Sequence, residues 1–334
     1  MNDKTLRIIH KINPSTTLRA AMDTNPTDFY NSDHLFAAAN MYYTENLSQA
    51  EISQRLNVSR PTVSRMLAQA KERGIVQINV IHPDAKSNEL LAERLAEALN
   101  LHKVYLSPGI QDSTMGPGME NAVLTAIADM KLTHGSTLAV ASGLAIYGIS
   151  HMNLPPLTGV TLIPTVGGVS EPEPWHQPNE IVRTMAQKTG SRHLPIFARV
   201  IPTPLMYKAL HEDASFQETI AHWKHAQGAL VGIGAVTTRR TSIASDIPQG
   251  ELTDAVGDVC LHFFDEAGND LPYTGSDRTI RIPLEQLQAI PHSVAIAVGK
   301  EKVQSIIAAT KLGTFKKLVT DEATAKDILT HLNS

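Results

Sequence analysis

Six short apolar runs recur along the later part of this 334-residue chain: KVYLS at 103–107, TLAVA at 137–141, VTLIPTV at 160–166, ALVGIG at 229–234, VAIAV at 294–298 and KKLVT at 316–320. Each has the length of a strand, and each is built on a contiguous apolar stretch rather than an alternation, the pattern of strands buried on both faces. Helical stretches lie between most of them, the first marked by Leu91, Leu95, Ala98 and Leu99. Buried strands alternating with helices predict a doubly wound, mostly parallel α/β sheet covered on both sides. In that architecture ligands bind beyond the C-terminal ends of the strands, where loops and helix N-termini present backbone N–H groups.

Residues 47–76, LSQAEISQRLNVSRPTVSRMLAQAKERGIV, carry a different pattern. Ser48 and Glu51 form a capping-box pair that starts a helix. Asn57 tolerates the left-handed conformation that ends it sharply. Val58 plugs the corner, Ser59 caps a second helix, and Pro61 sits in its first turn, where a missing N–H costs nothing. In that second helix Val63, Met66, Leu67 and Ala70 make a buried stripe, and Arg60, Thr62, Ser64, Arg65 and Gln69 are left on the other face. Arginine near the start of such a helix can grip guanine O6 and N7, and hydroxyls can reach phosphates or base edges. The segment therefore predicts a helix-turn-helix whose second helix enters the major groove of double-stranded DNA, with DNA contacts from Gln49, Ser59, Arg60, Pro61, Thr62, Ser64 and Arg65. A preceding helix capped by Asp33, with Leu35, Ala38, Ala39 and Tyr42 on one face and an end near Asn46, completes a three-helix unit. After Gly74 the run IVQINVI suits a strand or small wing.

Charge follows the same division. Residues 1–83 hold nine Lys/Arg against seven Asp/Glu, whereas the rest of the chain is acidic by six. Between Ser48 and Arg73 there are five basic residues and two acidic ones, so the positive field is confined to the DNA element. The expected domains are a weakly ordered leader at 1–30, a DNA-binding domain at 31–81, a linker at 82–87 and an effector and oligomerisation domain at 88–334. Cys260 is the one cysteine, which excludes a disulfide framework and a thiolate zinc site and reads as an inert buried thiol. No run is long and apolar enough to span a membrane, and the N-terminus lacks the apolar core of a signal peptide, so the expected location is the cytoplasm. No cofactor is expected. His222 and His225 in HWKH lack the partners of a metal site and read as a helix surface.

Glycines cluster where the strands end: Ser142-Gly143, Gly167-Gly168, Gly232 and Gly234, and Gly299-Lys300, with Lys302 close behind. Together they predict a small-molecule pocket. GIG lacks the third glycine of a dinucleotide fingerprint. The loop SEPEPWHQPNE at 170–180 adds Glu171 and Glu173, which can accept from sugar hydroxyls, and Trp175, whose ring can cover an apolar sugar face. This points to an unphosphorylated sugar or sugar alcohol.

The segments MYYTENLSQAEISQRLNVSRPTVSRMLAQAKERGIV, ALVGIGAV, AVGDVCLHFFDEAGN and VAIAVGKEKVQSIIAATKLGTFKKLVTDEATAKDIL, in this order, resemble the SorC-type bacterial transcriptional regulators from about residue 33 to the C-terminus. The resemblance implies an effector domain of phosphosugar-isomerase-like fold that no longer catalyses, a homotetramer, and operator affinity controlled by a sugar, polyol or sugar phosphate. By position it implies a ligand site at the loop of Ser142, Gly143, Leu144 and Ala145, the Asn179 region, Asp258 and Lys302, to which the strand-end glycines add Gly167, Gly168 and Gly232 and the 170–180 loop adds Trp175. Leu144 and Ala145 stand where relatives that bind sugar phosphates often carry hydroxyls, and Gln227 replaces an acidic residue common before ALVGIG. Both departures weaken the case for a phosphorylated effector.

Two other functions fit parts of the chain. A sugar-phosphate isomerase or deaminase with an appended DNA-binding domain would use Asp258 and His262, four apart in one expected strand, for acid–base work. A lysine of lowered pKa at 302 could form a Schiff base, though pairing with a phosphate or carboxylate suits it better. A protein-interaction adaptor would use the helical hairpin without any salt-dependent DNA binding.

Overall fold

The computed structural model describes residues 30–76, 85–107, 119–169, 173–235 and 249–333. The leader up to residue 29, most of the expected wing, residues 82–84 of the linker and Glu171 lie outside the described residues. The chain divides into two compact units between Ile81 and His82.

The first unit holds helices α1 (Ser32–Tyr43), α2 (Gln49–Leu56) and α3 (Arg60–Glu72). Its core is built from Leu35, Ala38, Ala39, Ile52, Val63, Met66, Leu67 and Ala70. Asn31 caps α1 by accepting from the His34 N–H at 2.9 Å, so Asp33 lies inside the first turn rather than at the cap. At α2 both halves of the capping box form: Glu51 N–H donates to Ser48 Oγ at 3.3 Å, and Ser48 N–H to Glu51 Oε2 at 2.8 Å. Asn57 ends α2 in the left-handed region at φ 51°.

The second unit begins with a helix at Ala85–Ala98, which occupies half of the span expected as linker. Strands β1 (Lys103–Ser107), β2 (Thr137–Val140), β3 (Thr161–Pro164), β4 (Arg192–His193) and β5 (Gly228–Gly232) follow. A small antiparallel sheet then forms from β6 (Gly234–Ala235), β7 (Gly257–Val259), β8 (His262–Phe264) and β9 (Asp270–Leu271). The chain returns through β10 (His292–Ile296) and β11 (Lys317–Asp321). The main sheet has the order β1-β11-β10-β5-β2-β3-β4, with every pairing parallel. All four residues of β2 and of β3 are buried. Alternate residues point to opposite faces, so both faces of the sheet are covered there. Edge strand β4 is exposed and basic, which discourages pairing with another chain.

This order places a topological switch point between β2 and β5. From β2 the chain steps outward to β3 and β4; from β5 it steps the other way to β10 and β11. The loops that follow neighbouring β2 and β5 therefore diverge and leave a crevice at the C-terminal end of the sheet.

The small antiparallel sheet corrects one expectation. Asp258 and His262 do not share a strand: they sit on β7 and β8, joined by a two-residue turn in which Cys260 (φ 52°) and Leu261 (φ 66°) are both left-handed. Asp258 pairs with Phe263 and Val259 with His262, so the two side chains point to opposite faces. Residues with positive φ at both turn positions are ordinarily Gly, Asn or Asp, which is why the hairpin was hidden in the sequence.

Candidate functional site

In the first unit the local rules place the functional face directly. Ser59 caps α3, accepting from Thr62 N–H at 3.3 Å, and its hydroxyl lies 2.8 Å from Thr62 Oγ1. Those two hydroxyls are thus spent partly on each other. Arg60, Pro61, Ser64 and Arg65 are exposed on the first two turns of α3, while Thr62 and Gln49 are half-buried. Beneath them Val63, Met66, Leu67 and Ala70 are buried in the unit's core. Gln69, expected on the polar face, is half-buried with an Oε1 that has no hydrogen-bond partner.

At the crevice the loop after β2 carries half-buried Ser142 and then Gly143, whose φ of 118° suits glycine alone, before the helix Leu144–Ser150. Gly143 N–H donates to the Trp175 carbonyl at 2.8 Å, so the structure brings these two predicted residues together. Leu144 is exposed and Ala145 half-buried at the head of that helix. Gly232 ends β5 with Ile146 of the same helix alongside, 3.9 Å from where a Cβ would stand. Lys302 reaches in from the turn after β10 and donates to the Ile233 carbonyl at 2.8 Å. The next residue, Gly234, pairs with Asp258 on β7. Asp258 is buried and accepts from the Leu261 N–H at 3.4 Å, which braces the hairpin turn.

Three predicted residues prove to be builders of the walls. Gly167 N–H donates to Ile280 O and Gly168 N–H to Ala198 O, both at 2.8 Å, so neither N–H is turned to a ligand. Asn179 donates to Ile196 O at 3.1 Å and accepts from Ile196 N–H at 2.9 Å, clamping the 194–200 segment. Gln227 lies at the opposite end of the sheet, accepting from Thr137 N–H at 2.7 Å, and so says nothing about the effector. Tyr147, which sequence reasoning passed over, stands edge-on to Trp175 with centroids 6.2 Å apart. Its position one helical turn after Gly143 was the available signal.

The remaining chemistry is structural. His262 is buried with Nε2 2.9 Å from Ile282 O, and His222 Nδ1 lies 3.2 Å from Thr137 Oγ1. Trp223 between the two HWKH histidines is buried and donates to Pro164 O at 2.8 Å. Burial pushes the Cys260 thiol up to about 12, so it is protonated and inert at neutral pH. Among the described residues no helix is long and apolar enough to cross a membrane, and no group of three or more His, Cys, Asp or Glu could hold a metal ion.

Comparison with known proteins joins the two units into one function. Residues 84–330 match the family model described as "Putative sugar-binding domain", and residues 40–73 match the model of sigma-70 region 4. The chain is 31% identical to the deoxyribonucleoside regulator of Bacillus subtilis (strain 168), over 88% of this chain and 96% of that one. It is 27% identical to the sorbitol operon regulator of Klebsiella pneumoniae, over 87% and 96%. The crystal structure of that full-length Klebsiella regulator superposes with a TM-score of 0.71 at 25% identity, covering 90% of this chain and 99% of the other. These relatives are named as regulators and not as enzymes, which sets aside the isomerase alternative. With a helix-turn-helix match at 40–73 and a sugar-binding-type match over nearly the whole second unit, the chain is a DNA-binding transcriptional regulator and belongs to the SorC-type family of sugar-responsive bacterial regulators.

Proposed function

We propose that Gln49, Ser59, Arg60, Pro61, Thr62, Ser64 and Arg65 form the operator-reading surface, and that a small carbohydrate, polyol or sugar phosphate in the crevice between β2 and β5 sets its affinity for DNA. The observation that carries the first half is the exposure of Arg60, Ser64 and Arg65 over a fully packed three-helix core. The second half rests on the switch-point loops, which gather Gly143, Trp175, Gly232, Lys302 and the β7 strand of Asp258. Lys302 supplies a cation for an anionic group, and the acidic balance of this unit suits a metabolite better than a nucleic acid.

The mechanism is linkage. Operator affinity depends on the spacing of two or more helix-turn-helix units in a homo-oligomer, here a tetramer in the cytoplasm, and a ligand that prefers one arrangement of the effector units shifts that spacing. The test is fluorescence anisotropy of the full chain on the DNA upstream of its own gene across a salt series. A steep salt dependence and a loss of roughly 5- to 150-fold in specific affinity for Arg60→Ala or Arg65→Ala are expected. Salt-independent binding, or affinity unchanged in both variants, would overturn the assignment of α3 as the reading helix.

A further inference from the structure

Three neighbouring strands of the main sheet begin on a basic or imidazole side chain: β1 on Lys103, β11 on Lys317 and β10 on His292. Lys103 stands in register with Lys317, and Lys317 with Val294, two residues after His292. Register partners, and residues two apart along a strand, share a face, so all three side chains leave the same side of the sheet at its N-terminal end, away from the crevice. The helix Glu120–Ala128 ends against them, followed by Asp129 and the exposed Lys131. Two lysines abreast on strands about 4.8 Å apart repel each other unless anions answer them. Here Asp129 Oδ2 accepts from Lys103 Nζ at 2.7 Å and from the Tyr105 hydroxyl at 2.8 Å, while Lys317 Nζ reaches only the Asp129 carbonyl, at 3.1 Å. The carboxylate is therefore engaged on the β1 side. Burial, with Lys103 and Lys131 alongside, holds the Lys317 ammonium below the usual lysine range although Asp129 opposes the shift. Burial, then Lys317 and Lys131, holds the His292 imidazole below the usual histidine range. Three ammonium groups thus share one field with a single carboxylate, inside a unit whose overall balance is acidic.

We propose that Lys131, Lys317 and His292 hold a doubly charged oxyanion, inorganic phosphate or the phosphate group of a monoester, in a second site at the N-terminal end of the main sheet. The inference is independent of the crevice reading, because Lys302 lies beyond the other end of β10. Two negative charges match the surplus of two ammonium groups over the Asp129 carboxylate, and a monoanion would leave one unanswered. The donors suit the ligand as well: each ammonium has three N–H groups, a neutral imidazole has one, and phosphate oxygens only need to accept. Lys103, already paired with Asp129 and 4.7 Å above the Tyr105 ring, contributes field rather than contact. The acidic balance of the surrounding unit repels an extended polyanion such as a nucleic acid and admits a small one.

The test titrates the full-length chain, isotope-labelled at histidine, with inorganic phosphate and with methyl phosphate, against sodium chloride at matched ionic strength. Binding is read by calorimetry and by the His292 imidazole resonance, assigned through His292→Gln. The expected result is that at least one of the two phosphates moves that resonance where chloride does not, and binds at least about ten-fold more weakly to Lys131→Met and to Lys317→Met. Lys302→Met should leave this binding unchanged. A response to both probes makes free phosphate sufficient, and a response to methyl phosphate alone assigns the site to monoesters; either supports the site. Without phosphate, Lys131→Met should melt no lower than the parent chain, since it relieves repulsion. A lower melting temperature for that variant would make the lysines structural and overturn the proposal. So would a His292 resonance that answers chloride and the phosphates alike, phosphate binding undiminished in both lysine variants, or phosphate binding lost only in Lys302→Met, which would place the anion in the crevice.

Discussion

At Gly167 there is no room for a side chain: a Cβ would stand 2.9 Å from the Ala198 carbonyl oxygen. Gly167→Ala should therefore destabilise the second unit by about 1–3 kcal/mol, read from the urea midpoint, because the clash is with backbone that cannot swing aside. The glycine itself was legible in the sequence, but its reason was not. Strand-end glycines suggest close approach of a ligand, and at Gly143 the neighbourhood of a would-be Cβ is open, as that reading requires. At Gly167 the space is filled by the 198–200 segment, more than thirty residues downstream, which no local pattern announces. Asn179 is similar: its carboxamide looked available in the sequence, and the partner that occupies it, Ile196, is identifiable only once the fold has brought the two together.

Among the elements, α2, the Asn57 turn and α3 were readable almost residue for residue, because capping and turn chemistry act over three or four positions. Ser48→Ala should cost about 1 kcal/mol in the first unit, measured by thermal melts. The same cap confers a pH dependence. The Ser48 backbone N–H, followed by its hydroxyl, holds the Glu51 carboxyl below the usual glutamate range. Its contribution is present above the ordinary glutamate pKa and is lost as pH falls through the lowered one. Between about pH 6 and about pH 3 the melting temperature of the first unit should fall, and Glu51→Gln should flatten that fall. The β7–β8 hairpin was the opposite case. Its turn is Cys260-Leu261, held by the nearby Asp258 carboxylate on the Leu261 N–H and by the Arg281 guanidinium, distant in sequence, on the Leu261 carbonyl, so side-chain contacts replace the usual Asn-Gly chemistry.

On the scale of the whole molecule, the six apolar runs identified the main strands but not their order, since continuous burial marks a strand without naming its neighbours. The interior of the sheet is correspondingly unforgiving. Leu162, fully buried on β3 between β2 and β4, should cost about 2–5 kcal/mol when cut to alanine, seen as a lower urea midpoint at unchanged slope. The strand order also has a consequence for how the protein is made. β1, the first strand of the main sheet to leave the ribosome, pairs along its whole length with β11, the last, so Lys103 waits for Lys317. β2 likewise waits for β5, its Leu138 pairing with Gly228. Contacts of such long range form slowly. The three-helix unit, closed by local contacts, can fold on the nascent chain while the sheet remains open. A polypeptide of this kind finishes its reading helix before it can hear the signal that governs it, and the delay is written into the first and last strands of one sheet.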